Sequence, residues 1–268
     1  MIPKAGFANR LPGSHCFAIR ANACVGKSFN ALEQSPPSLH FLVASMTDFS
    51  LEIQIDTAGL QTIANAGMSV AILVPQAQAA YQIVALQTSA SSTIHIDWSD
   101  ANSIYVSVYD LQAYAIPMIS TSQAALPGQV FTYDGAAISQ TGSTSLPGTL
   151  QLTNSSGGTV TSGLSQVFTV NGQAQPEAIT TASSILNNGL GSFQFSNQIL
   201  LTLLGGAQTG MAVPSQVIPG IQSKQKRKRS VPQISVQPPL ILDFTSSNAT
   251  QTVHFNDLNN QFINGALP

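Results

Sequence analysis

Between Lys27 and Lys224 the chain contains no lysine and no arginine. All nine basic residues sit before or after that gap: four up to Lys27, then Lys224, Lys226, Arg227, Lys228 and Arg229 in one burst. Nucleic-acid affinity rests on Lys and Arg neutralising phosphates. A body without cations is therefore not a phosphate, nucleic-acid or anionic-cofactor binder. Residues 46–223 carry eight carboxylates and no base. Their surface is expected to be acidic and to repel DNA, RNA and anionic membranes. Those carboxylates must be satisfied by backbone N–H groups, hydroxyls or water.

Other absences narrow the field further. Charged residues make up 7% of the chain, against ~25% in an average globular protein, while 43% is hydrophobic. Disorder from low hydrophobicity is thereby excluded for the body, and the polar surface must be built from Ser, Thr, Gln and Asn. Both cysteines, Cys16 and Cys24, lie in the first 45 residues, so no disulfide or thiolate metal cluster supports the rest. No apolar run reaches the ~18 residues of a membrane helix. There is no G-x-S-x-G elbow, no P-loop and no dinucleotide fingerprint; Gly205–Gly210 lacks the lysine. Asp56-Thr57-Ala58-Gly59 differs from an aspartic-protease motif by an inserted alanine. No cofactor and no catalytic residue is assigned.

Two segments stand apart from the body. Residues 1–45 mix cysteine, basic residues and Pro36-Pro37 without periodicity. They read as a leader outside the core: disordered, a targeting sequence, or residues ahead of a true start at Met46. In the last case the protein is cytoplasmic or released without a signal peptide of the usual form. Residues 211–239 hold five prolines around Lys-Gln-Lys-Arg-Lys-Arg at 224–229. Prolines at that density oppose strand and helix. Lys226, Arg227, Lys228 and Arg229 read as a linker or a processing site.

What is present is β pattern. Phe49-Ser-Leu-Glu-Ile-Gln-Ile55 alternates apolar and polar residues without a break, as a half-buried strand does. Similar short runs lie at 68–74, 81–87, 92–98, 103–111, 128–133, 148–153, 165–170, 191–195, 198–204, 240–245 and 251–256. Two short helices are expected, one over 57–65 with Asp56 as its cap, the other over 177–188 with Gly189 as its stop. Gln129–Gly135 and Gln166–Gly172 nearly repeat and end in Asp-Gly and Asn-Gly, a tight-turn signal. Thr93-Ile-His-Ile-Asp97 recurs as Thr252-Val-His-Phe-Asn256. The order of elements suggests a decayed duplication. The expected fold is all-β: two pseudo-repeated β-sandwich-like units with one short helix each, at 46–125 and 126–268, the second interrupted by the 211–239 loop.

The repeated strand supplies the candidate site. Alternation puts Thr93, His95 and Asp97 on one face and Ile94, Ile96 and Trp98 on the other. Thr252, His254 and Asn256 divide from Val253 and Phe255 in the same way. His95, Asp97, His254 and Asn256 can hydrogen-bond a ligand, and Trp98 is either a stacking platform or a core residue. Two such ligands do not make a metal site, and none is assigned. The favoured function is a non-catalytic protein that binds a neutral partner, such as a glycan, a lipid headgroup or a protein, or associates with itself. One alternative is a membrane-active β-rich toxin using the chargeless stretch 136–170. Another is a weak hydrolase using Asp97 and Asp100. Asn154-Ser-Ser and Asn248-Ala-Thr fit the glycosylation acceptor pattern.

Overall fold

The alternating run at the start of the body forms the strand Asp48–Gln54 (β1), with Phe49, Leu51 and Ile53 buried and the residues between them half-exposed. The computed structural model describes residues 46–77, 79–218 and 238–268; the leader and the basic burst lie outside them, while the start of the loop expected at 211–239 is instead ordered and buried, with Ala212–Pro214 paired to Tyr81–Ile83 as a strand that ends at its proline. After β1 comes the one α-helix among the described residues, Thr57–Asn65 (α1). Asp56 caps it as expected: its Oδ1 accepts the Gly59 N–H at 2.7 Å. Gly67 follows with φ +61°, the left-handed conformation that glycine adopts freely at a helix end.

Next in the chain are Met68–Leu73 (β2), Tyr81–Thr88 (β3), Thr93–Ser99 (β4) and Asn102–Ser107 (β5). Thr121–Ala125 (β6), Gln129–Tyr133 (β7), Ile138–Ser143 (β8), Thr149–Asn154 (β9) and Val160–Gln166 (β10) follow. Five short strands come after these: Phe168–Val170 (β11), Gln173–Ala174 (β12), Ala178–Ile179 (β13), Ser183–Ile185 (β14) and Leu190–Gln194 (β15). The chain ends with Gln198–Gly205 (β16), Ala212–Pro214 (β17), Leu240–Asp243 (β18), Thr250–Asn256 (β19) and Gln261–Asn264 (β20).

These strands build four sheets around two main cores. A six-stranded sheet in the order β12-β11-β4-β1-β19-β20 packs over a five-stranded one, β17-β3-β2-β16-β18. Leu51, Ile53, Ile94, Ile96, Val253 and Phe255 from the first meet Val70, Ile72, Leu201 and Leu203 from the second. The other pair is β13-β10-β5-β6, with β14 also on β10, over β15-β9-β7-β8. Ile104, Val106 and Leu164 there meet Phe131, Leu150, Leu152 and Phe193. A smaller cluster of Ile83, Tyr105, Ile179, Ala182 and Ala212 joins strands of both pairs. The described residues belong to one compact unit.

The all-β class is as expected; the division at 125/126 is not a division between sheets. The chain leaves the first pair after β4, builds β5 to β10, returns for β11 and β12, and goes back for β13 to β15. The two T-Φ-H-Φ-D/N segments, β4 and β19, flank β1 in one sheet, β4 antiparallel and β19 parallel to it.

The helix expected over 177–188 is absent, and β13 and β14 stand in its place. Thr180 and Thr181 are the reason. The Thr180 hydroxyl donates to the Leu164 carbonyl at 3.0 Å, and Thr181 Oγ1 accepts the Leu164 N–H at 2.8 Å. Both Thr180 and Thr181 N–H groups also donate to Leu164 O. Hydroxyls and β-branches that bond a neighbouring strand compete with the helical ladder. The run at 103–111 ends as a strand at Ser107, and the run at 165–170 is divided between β10 and β11. The Asn171-Gly172 turn appears as expected: both residues have positive φ (49° and 77°), and Val170 pairs with Gln173 across it. The stretch 136–170 is shared among β8, β9, β10 and β11 in three different sheets.

Candidate functional site

The outer face of the six-stranded sheet carries the polar residues expected of it. Register sets them in rows across β4, β1 and β19. Asp97 lies opposite Ser50, and Ser50 opposite Thr250. In the next row come His95, Glu52 and Thr252, and in the next Thr93, Gln54 and His254. His95 Nδ1 is 4.0 Å from Glu52 Oε2. Glu52 also accepts the Gln54 amide at 2.6 Å, and Gln54 Oε1 accepts the Leu267 N–H at 2.8 Å. His254 Nδ1 is 2.9 Å from the Gly265 carbonyl oxygen.

The polar candidates therefore share a face without converging. His95 and His254 are separated by two strand spacings and a two-residue step, on the order of 12 Å. Asn256 is committed to its own turn, where its Oδ1 accepts the Asn259 N–H at 3.1 Å. Asp100 Oδ1 accepts the Thr47 N–H, closing the end of the sheet; no hydrogen bond among the described residues couples it to Asp97. Trp98 points to the opposite face and is 7% exposed. Its ring is 4.7 Å from Phe244, 5.8 Å from Phe49 and 6.1 Å from Phe168. It is a core residue, closed to a ligand at the polar face. Among the described residues no three His, Cys, Asp or Glu side chains group as metal ligands. No described helix is long and apolar enough to cross a membrane. Glu52 is the member of this array that strand alternation alone did not single out. It becomes visible only when β1 and β4 are placed in register.

A second surface was not anticipated. The loop from Val108 to Met118 exposes five large apolar side chains: Val108 57%, Tyr109 55%, Tyr114 60%, Ile116 42% and Met118 63%. Asp110 and Gln112 are exposed among them. The loop is held at both ends and in the middle. Val108 N–H donates to the Ser120 hydroxyl, and the Thr161 hydroxyl donates to the Tyr109 carbonyl at 2.8 Å. Tyr114 N–H donates to the Ala212 carbonyl at 2.7 Å, and Ala212 N–H to the Ala115 carbonyl at 2.9 Å. Tyr114 has φ +61°, a conformation costly for a bulky residue and often kept where a side chain is needed in one place. Pro117 inside an apolar run that does not alternate was the available sequence signal for a loop.

Two ordinary carboxyl and phenol groups are shifted. Asp134, in the turn between β7 and β8, accepts the N–H groups of Ala137 and Ala136, both at 2.9 Å. Those bonds hold its carboxyl below the usual range. Burial pushes the Tyr105 phenol far up; its hydroxyl donates to the Thr181 carbonyl at 3.0 Å. Both are structural, and neither lies on the two surfaces described above.

Comparison with protein-family models, with curated proteins and with solved structures gave no match to this chain.

Proposed function

We propose that this is a non-catalytic β-sandwich protein that binds a neutral partner, and that the partner is a glycan met by the 108–118 loop. The observation that supports this most is the loop itself. Large exposed apolar groups concentrated on one anchored segment mark contact surfaces. Tyrosine offers an apolar ring for stacking on a sugar and a hydroxyl for hydrogen bonding. Asp110 and Gln112 supply further polar groups in the same loop. Backbone anchoring reduces the ordering cost of binding. The described residues contain no lysine and no arginine, so they offer an anionic partner no ionic attraction.

The polar face of β4, β1 and β19 supports a second reading, in which His95, Glu52, Gln54 and Asp97 hydrogen-bond the same class of ligand. The test is a glycan array run beside flotation with zwitterionic lipid vesicles and sedimentation velocity of the free protein. Tyr114→Gly removes the ring and suits the positive φ; His95→Ala alters the other face. Loss of glycan binding in Tyr114→Gly alone supports the loop, and loss in His95→Ala alone supports the sheet face. Vesicle binding or self-association without glycan hits replaces the glycan by a lipid surface or a second copy.

A further inference from the structure

Independently of the loop and of the polar sheet face, one carboxylate is built into a cleft. The chain passes between the two sheet pairs at the β4–β5 turn and again at the β10–β11 link. A cleft of about 170 Å³ lies there. Asn102 and Ser103 at the start of β5, Ser165 and Gln166 at the end of β10, Ala124 in β6 and Glu177 just ahead of β13 line it. Glu177 Oε1 accepts the Ser165 hydroxyl at 2.7 Å, and its Oε2 accepts the Ser122 hydroxyl at 3.2 Å. Ser165 is on β10 and Ser122 on β6, so the carboxylate spans β5, the strand between them. Ser165 is fully buried, whereas Glu177 reaches solvent. Other carboxylates of the body are held differently. Asp56, Asp100 and Asp134 accept backbone N–H groups at a cap or a turn, and Glu52 and Asp243 accept glutamine amides.

We infer that this cleft binds the ammonium group of a small primary amine. A hydroxyl has a single proton, and both serines give theirs to Glu177. The lone pairs that remain on the carboxylate and on the two hydroxyls can only accept. The Gln166 and Asn102 amides also donate within the fold, to the Ser99 and Asp100 carbonyls. An ammonium group brings three donors, no acceptor and a compact positive charge, the complement of acceptor oxygens gathered on one carboxylate. The cleft is smaller than the ~300–1,000 Å³ of sites that enclose a whole small molecule. It therefore takes the head group and the first carbons of its stem, with Ala124 beside them.

The experiment is NMR titration of the full chain with ethylammonium chloride in about 0.15 M salt, which screens general attraction to surface carboxylates. Ethanol and tetramethylammonium chloride are the controls. Ethanol keeps the stem and one donor; tetramethylammonium keeps the charge and has no N–H. Ethylammonium is expected to shift the backbone amides of Ser103, Ser165 and Ala178 and the carboxyl carbon of Glu177 along one saturable curve. It should bind at least fivefold more tightly than either control. Glu177→Gln changes an exposed position and should weaken binding tenfold or more while the rest of the spectrum is retained. If that variant does not fold, the ranking of the three probes on the unaltered chain still decides. Shifts that do not saturate, or that are equally large at Asp97 and Asp134, overturn the inference. So does equal affinity for tetramethylammonium or ethanol, or unchanged binding in a folded Glu177→Gln.

Discussion

Gly163→Ala is expected to be among the most damaging single-methyl additions in this protein. Gly163 lies in β10, where the chain crosses the Thr180-Thr181 segment that replaced the expected helix. A Cβ built at Gly163 would overlap the carbonyl oxygen and carbon of Thr181, with Thr181 Oγ1 at 3.0 Å. Non-bonded heavy atoms pack at ~3.5 Å, so the two segments must part by on the order of 1 Å. That separation acts on a group of short bonds. Tyr105 Oη to Thr181 O is 3.0 Å, Leu164 N to Thr181 Oγ1 is 2.8 Å, and Thr180 N to Leu164 O is 2.9 Å. Each lost hydrogen bond costs about 1 kcal/mol, and a buried group left unpaired costs ~1–3 kcal/mol more. Losing two bonds and stranding one group amounts to about 4 kcal/mol, in the range reserved for severe lesions. The assay is urea unfolding followed by tryptophan fluorescence, with Gly158→Ala as control. A Cβ at Gly158 meets nothing within 4 Å, and that variant should change stability by less than ~0.5 kcal/mol. A Gly163→Ala value below ~1 kcal/mol with an unchanged m-value would refute the crossing described here.

Asn154 is fully buried, and its amide donates to the Gly158 and Ile185 carbonyls at 2.7 and 3.0 Å while its Oδ1 accepts from Ser156. Asn154→Ala should cost about 3 kcal/mol by the same reasoning, measured by urea unfolding. If the chain is routed through a glycosylating compartment, intact mass should show occupancy at the exposed Asn248 and none at Asn154, whose amide is closed in the fold. The carboxyl of Asp134 should titrate below the ordinary aspartate range in carbon-detected NMR, because two backbone N–H groups favour its charged form. The sign follows: its folded value is depressed, so its stabilising effect is present above the unfolded value and fades as pH falls through the folded one. Asp134→Asn should flatten that acid limb, and an unchanged limb would show that the turn contributes nothing.

Much of the fold was legible because burial in this chain follows period two. β1, β4 and β19 alternate cleanly, and one face of each is core. The helix over 57–65 was readable from Asp56 and Gly67, and the Asn171-Gly172 turn from its two residues. What was not legible depends on partners distant in sequence. Residues 177–188 have a helical apolar spacing, yet the Thr180 and Thr181 hydroxyls find Leu164 only after β10 is in place. The nesting of one sheet pair within the other lies in which strands pair, and strand periodicity carries no pairing information. Edge strands β6 and β8 escaped notice because Thr121–Ala125 and Ile138–Ser143 are largely exposed on both faces and so do not alternate. At the candidate site the sequence marked His95 and His254, but not Glu52 between their strands, and it placed the loop after Ser107 partly in a strand.

The central claim is that a body free of cations recognises its partner by stacking and neutral hydrogen bonds. Its most direct test is the ionic-strength dependence of binding to the strongest glycan found, measured by calorimetry from about 0.05 to 1 M salt, a range over which phosphate-type recognition weakens by orders of magnitude. Affinity constant within twofold is the expected result. Affinity that falls steeply with salt, or tight heparin binding, that persists when Lys224, Lys226, Arg227, Lys228 and Arg229 are all replaced by glutamine would contradict the claim.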